Sequence, residues 1–186
     1  GPRSPYDDPV YDAGWGFCLP SVALYDMFDD SDARRDVTFY DIREEQDRYS
    51  IGRDDTGLFN KKYMPRKEPK RAGSDPLNYD NNYRAIRYAD VLLMAAEAEA
   101  QSSGTDAENY LNQVRARAYG DNSQDYTASE GALLDAIYTE RRKELAGEGH
   151  RFFDLVRTKK AAAAIDGFTE NKNEIFPIPL IELELA

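Results

Sequence analysis

The stretch Thr139-Glu140-Arg141-Arg142-Lys143-Glu144-Leu145-Ala146-Gly147-Glu148-Gly149-His150-Arg151-Phe152-Phe153-Asp154 carries the densest pattern in the chain. Leu133, Leu134, Ile137, Tyr138 and Leu145 share one face at helical spacing, which predicts a helix from about Ser129 to Ala146. Gly147 and Gly149 stop it, because glycine takes left-handed backbone angles cheaply. Another helix is predicted from Arg151, anchored by Phe152 and Phe153 and continuing through the helix-forming run Ala161 to Ala164. Arg141 falls inside the apolar stripe, between Ile137 and Leu145. A guanidinium there has to be paired, since burying one alone is very costly. Glu144 lies one turn on and Asp154 lies in the next helix, so Arg141, Glu144 and Asp154 are expected to form an ionic clamp that fixes the angle between two helices. The competing reading of the same residues is a binding cleft.

Working outward, Ile86 to Ala98 reads as a helix whose apolar residues cover most of its circumference, with a polar strip near Asp90 and Glu97. Such a helix packs on two or more sides. Ser102-Ser103-Gly104 ends it, and Thr105 opens the next, with Glu108 at capping-box spacing and Ala107, Tyr110, Leu111, Val114 and Ala118 inward. The two hairpins that result resemble tetratricopeptide units, although that repeat's consensus is not matched. The end, Ile175-Phe176-Pro177-Ile178-Pro179, is predicted extended because proline biases its predecessor away from helix.

Residues 1–82 hold most of the Pro and Asp and half of the Gly, with turn signals at Tyr6-Asp7-Asp8-Pro9 and Gly73-Ser74-Asp75-Pro76. A short helix is predicted from Pro20 to Phe28, and short strands at Val37-Tyr40 and Gly57-Asn60. The fold class is therefore mainly α: TPR-like helical hairpins over 83–165, a long loop-rich segment over 1–82, and an extended tail over 166–186.

The chain has 186 residues, 41% of them hydrophobic and 32% charged, with 35 acids, 24 bases and a net charge of −11. That sign repels phosphate backbones and anionic lipid, so nucleic acid and a bare membrane surface are poor partners. Cys18 is the single cysteine, which excludes an internal disulfide and a thiolate zinc cage. No apolar run is long enough to span a bilayer, no signal peptide opens the chain, and no cysteine stands near the start to take a lipid. There is no phosphate-binding glycine loop and no Gly-x-Ser-x-Gly elbow. The one histidine, His150, reads as a helix cap or surface contact. Among 35 acids some pair falls at any spacing by chance, so paired carboxylates do not point to glycosidase chemistry. Asp29, Asp30, Asp32 and Asp36 miss the EF-hand spacing, and a solvated helix end explains them as well as calcium does. No catalytic residue, metal ligand or cofactor is assigned.

Thirteen Tyr, eight Phe and one Trp offer stacking surface. Trp15, flanked by Gly14 and Gly16, leads a candidate ligand-binding set of Tyr11, Asp12, Trp15 and Phe17. Two readings stand: the indole is presented for stacking on a sugar ring with Asp12 at its edge, or it packs against the helical scaffold.

Several blocks together resemble the SusD/RagB family. Glu140-Arg141-Arg142, Glu144-Leu145, Glu148-Gly149-His150-Arg151 and Phe152-Phe153-Asp154-Leu155-Val156-Arg157 resemble its ERR-x-EL-x-x-EGHR-[WF]-[FY]-DL-x-R signature. Arg87-Tyr88-Ala89-Asp90-Val91-Leu92-Leu93-Met94 resembles its RYADVLLM helix, and Leu111-Asn112-Gln113-Val114-Arg115-Ala116-Arg117-Ala118 its LNxVRxRA helix. Phe176-Pro177-Ile178-Pro179 with Glu182 resembles its terminal PIP segment, and Asp32-Ala33-Arg34-Arg35 an upstream block. The resemblance implies a helical, TPR-like, non-enzymatic protein on the outside of an outer membrane. Its tether would be a lipidated cysteine in a preceding N-terminal part that also holds the signal and several helices. It would bind a glycan or another small nutrient and cap a TonB-dependent, SusC-like transporter. The alternative function is a helical scaffold whose main task is docking proteins.

Overall fold

The computed structural model describes residues 1–4, 6–43, 49–68 and 82–184. It divides into two units, Gly1–Glu148 and Gly149–Ala186. In the first unit, the Asp8 carboxylate accepts the N–H groups of Val10 and Tyr11, each at 2.7 Å, and so shapes the first turn. The turn predicted at Gly73 to Pro76 lies outside the described residues. Ser21 caps α1 (Val22–Tyr25), its Oγ accepting from Leu24 N at 3.2 Å. Next come α2 (Arg34–Thr38), β1 (Phe39–Asp41) and β2 (Leu58–Asn60). The strands pair antiparallel with Tyr40 opposite Phe59. Val37 and Thr38, predicted as strand, instead finish α2, because the Asp32 carboxylate bonds Arg34 N at 3.1 Å and turns the chain before them. Two small apolar clusters close this region. Tyr40, Ile42, Phe59 and Met64 form one, and Phe28, Phe39 and Ala146 the other.

Three longer helices follow: α3 (Tyr88–Ser102), α4 (Ala107–Tyr119) and α5 (Leu133–Glu144). They pack on one another around Leu92, Leu93, Ala96, Leu111, Val114, Ala136 and Ile137. The predicted inward stripe of α4 is observed, with Ala107, Leu111, Val114 and Ala118 buried. On α3 Leu92, Leu93 and Ala96 are buried, but the polar strip lies inside with them. Asp90 and Glu97 are buried, while Tyr88, Val91 and Met94 are exposed. Asp90 meets Arg141 at 2.7 Å, and Glu97 accepts from Gln101 at 3.0 Å and Tyr138 at 3.2 Å, so the polar strip turns inward toward partners.

The caps also moved. α4 starts after Asp106, which puts Glu108 one residue too early to close a box with Thr105. A capping box forms instead at Thr127 and Glu130, around the 3-10 turn Ala128–Glu130. Gly131, at φ 108°, separates that turn from α5, which is why α5 begins at Leu133 rather than Ser129. After α5, Gly147 takes φ 74°. A Cβ there would lie 2.5 Å from Asn60 Nδ2, the atom that donates to Gly147 O at 2.7 Å. Both the backbone angle and the close approach demand glycine.

The second unit holds α6 (Arg151–Arg157), α7 (Ala161–Ala164) and α8 (Leu180–Glu184). The single helix predicted from Arg151 to Ala164 is broken. Lys159 takes φ 56°, with Lys160 N bonded to Leu155 O at 2.8 Å and Lys159 N to Val156 O at 3.0 Å. This is a Schellman stop without glycine, helped by the Thr158 hydroxyl donating to Asp154 O at 2.6 Å. Phe152 and Phe153, expected as anchors, pair edge-on at 5.9 Å and remain exposed. The tail predicted extended over 166–186 carries one turn of helix, α8, placed directly after Pro179, where a missing N–H costs nothing.

Candidate functional site

Trp15 and Phe17 lie at the surface, 57% and 77% exposed, with ring centroids 6.5 Å apart and planes only 12° from parallel. The chain's first residues hold their loop. Gly14 N donates to Pro2 O at 2.6 Å, and Gly16 N to Gly1 O at 3.1 Å. A Cβ on Gly14 would come within 2.6 Å of the Gly1 backbone, so only glycine permits this approach. Gly16, between Trp15 and Phe17, takes a left-handed φ of 65°, an angle glycine adopts at no steric cost. Both rings present apolar surface to solvent. Tyr11 is elsewhere: it is half-buried, with its ring edge-on to Tyr40 at 5.7 Å. Asp12 is half-buried, with its backbone N–H on Pro65 O at 2.9 Å.

Of the residues of the expected clamp, Glu144 falls in a larger lattice of charges, and Arg141 pairs across to α3. Arg141 is buried and donates to Asp90 Oδ1 at 2.7 Å, joining α5 to α3. Glu144 is also buried, and its oxygens take Arg34 at 3.1 Å, Arg87 at 2.8 Å and Arg117 at 2.5 Å. Asp154 pairs with Arg157 within α6 at 2.7 Å. Arg34 also meets Asp32 at 2.8 Å and Glu140 at 2.5 Å, while Lys143 reaches Asp32 at 2.7 Å. Glu148 binds Lys62 and Arg87, each at 2.7 Å. Arg115 links Glu140 at 3.1 Å to Glu130 at 3.0 Å.

Sequence reasoning did not name Arg34, Lys62, Arg87 or Arg115 as charge partners. Arg34, Arg87 and Arg115 do sit inside blocks that resemble the family. The acids weighed for calcium are engaged as well: Asp32 as above, Asp30 and Asp36 by Arg35, and Asp29 by Ser31 and Tyr119. Among the described residues, no group of three or more His, Cys, Asp or Glu could hold a metal ion.

Burial alone would raise the Asp32 carboxyl, but Arg34 and Lys143 outweigh it and hold it well below the usual carboxylate range. Burial likewise opposes ionisation of Glu144 and Glu148, and Arg87 leads the cations that lower both. The unfolded chain takes up these protons at about pH 4–4.5, whereas the folded protein does so only at lower pH. The lattice's stabilisation is thus fully present above that range and lost as pH falls through the depressed folded values. The melting temperature is expected to hold steady from about pH 7 to 5 and to fall steeply between about pH 4 and 2. Melts followed by circular dichroism check this, and a temperature unchanged down to about pH 2 would contradict it.

These features define a mainly helical protein, cross-braced by buried ion pairs, with a glycine-held aromatic pair on its surface. The chain belongs to the SusD family, whose profile matches residues 40–176. SusD-like protein P2 of Formosa agariphila is 31% identical over 93% of this chain and 39% of its own length. Among solved structures, surface glycan-binding protein A from Bacteroides fluxus shares 35% identity at a TM-score of 0.85, covering 99% of this chain and 41% of that one. Surface glycan-binding protein A from Bacteroides thetaiotaomicron, in complex with laminarihexaose, shares 32% identity at a TM-score of 0.86, covering 100% of this chain and 43% of that one. The chain therefore has the SusD-like fold and spans about two fifths of these relatives' lengths.

Proposed function

We propose that this chain is the C-terminal part of a non-catalytic, cell-surface oligosaccharide-binding protein that captures glycan and hands it to a SusC-like, TonB-dependent transporter. A lipid anchor outside these residues would hold the protein to the outer membrane. The observation that carries the reading is the exposed, nearly parallel Trp15–Phe17 pair on its glycine-held loop. Similarity to a glycan-binding protein A solved with laminarihexaose supports an oligosaccharide as the ligand class.

The test is Trp15→Ala in the full-length protein, with calorimetry against laminarihexaose and a panel of other neutral oligosaccharides. Losing one stacking face should weaken binding of the preferred glycan by about tenfold or more. The melting temperature should stay put, because the indole is largely exposed. Unaltered affinity in a folded variant would remove this loop from the site. The docking-scaffold alternative has one observation in its favour, the exposed Tyr88, Val91 and Met94 on α3. It predicts that substituting those residues impairs a protein complex and leaves glycan affinity intact.

A further inference from the structure

Beside the lattice, within the first unit, lies a cavity of about 350 Å³, in the range of small-molecule sites. Seven cationic side chains and two carboxylates line it, in a protein whose net charge is −11. The two carboxylates, Glu144 and Glu148, are already shared among Arg34, Lys62, Arg87 and Arg117. Lys61 has a backbone acceptor, Asp36 O at 2.8 Å. Arg66 and Arg84 have no carboxylate partner among the described residues. The Arg66 backbone bridges to Tyr11, and the Arg84 guanidinium lies 5.4 Å over the Tyr63 ring. Tyr11 and Val37 supply an apolar wall. Burial lowers the Lys62 ammonium below its ordinary value even with Glu148 beside it.

The geometry points to a subsite for an anionic group on a sugar, a carboxylate or sulfate ester, received by Arg66, Arg84 and Lys61 at the mouth of this cavity. Guanidinium forks match both oxyanions, and each charge-assisted pair formed away from bulk water contributes more than a neutral hydrogen bond. This rests on the glycan-binding reading and narrows it to acidic glycans. Tyr11 thereby gains a role apart from the Trp15–Phe17 pair.

The experiment uses the full-length protein and calorimetry with four probes: laminarihexaose, a hexamer of uronic acid, a sulfated oligosaccharide, and inorganic sulfate. An acidic oligosaccharide should bind about tenfold or more tightly than the neutral one at low salt, and the advantage should shrink at high salt. The uronate and sulfated arms tell which oxyanion the cavity prefers. In the double variant Arg66→Ala/Arg84→Ala, the ratio of acidic to neutral affinity should fall to about one with the melting temperature unchanged. Equal affinity for acidic and neutral glycans overturns the proposal while leaving the glycan reading intact. So does a double variant that melts lower yet keeps its acidic preference, since the two arginines would then be holding a carboxylate of the protein itself. Sulfate binding that depends on Arg66 and Arg84, with no glycan bound, supports the cavity and sinks the glycan reading instead.

Discussion

A Glu144→Ala variant is expected to lose about 3–5 kcal/mol of stability, at the upper end of what breaking a buried ion pair costs. The reason is the number of charges left behind. Glu144 is 2% exposed and faces the guanidiniums of Arg34 and Arg87, which are themselves largely buried, and that of Arg117. Arg117 is mostly solvated and contributes little to the sum. Arg34 keeps Asp32 and Glu140, and Arg87 keeps Glu148, so the lattice loosens rather than vanishes. Glu144→Gln should lose less, because the amide oxygen still accepts from one guanidinium although the charge is gone. Urea denaturation of the full-length protein measures both. A loss under about 1 kcal/mol for the alanine variant would mean that water or a neighbouring acid replaces Glu144, and that the lattice is not what braces these helices.

The second large effect is expected at Arg141. Truncation to alanine strands the Asp90 carboxylate, 6% exposed inside α3, and should also cost about 3–5 kcal/mol. A double-mutant cycle separates stranded charge from lost packing. If the penalty is mainly an orphaned carboxylate, Arg141→Leu combined with Asp90→Leu should be clearly more stable than Arg141→Ala alone, since two apolar groups leave no charge unpaired. A double variant no better than the single one would show instead that the guanidinium's own contacts matter most. Glycan affinity should not move, because Arg141 lies in the helical core and away from the surface loop of Trp15.

The helices themselves were legible in the sequence because each buries an apolar stripe at helical spacing, as Leu92, Leu93 and Ala96 on α3 and Leu111, Val114 and Ala118 on α4 do. Their ends were less so. Thr105 and Glu108 stand at capping-box spacing, but the box formed at Thr127 and Glu130, and α4 began one residue later than expected. Spacing shows that a cap is possible, and only the path of the preceding loop decides which donors are free to take it. The stop at Lys159 was hidden for a related reason: no glycine or proline marks it, and one residue in a left-handed conformation is enough.

The candidate site divides along the same line. Glycines at 14 and 16 around the lone tryptophan could be read directly, because few residue types allow so close a backbone approach. That Phe17 would lie parallel to Trp15, while Tyr11 turned toward Tyr40, depended on where residues 1–3 crossed the loop.

By itself the sequence determined the helical class, the family blocks, and the need of Arg141 for a buried partner, since all three follow from local spacing and from the cost of an unpaired charge. Which carboxylate met which cation was settled only by the tertiary structure. Asp90 lies 51 residues from Arg141, and Arg34 lies 110 from Glu144. Charge pairs form wherever packing brings the oxygens within about 3 Å of the nitrogens, and no local pattern records that distance.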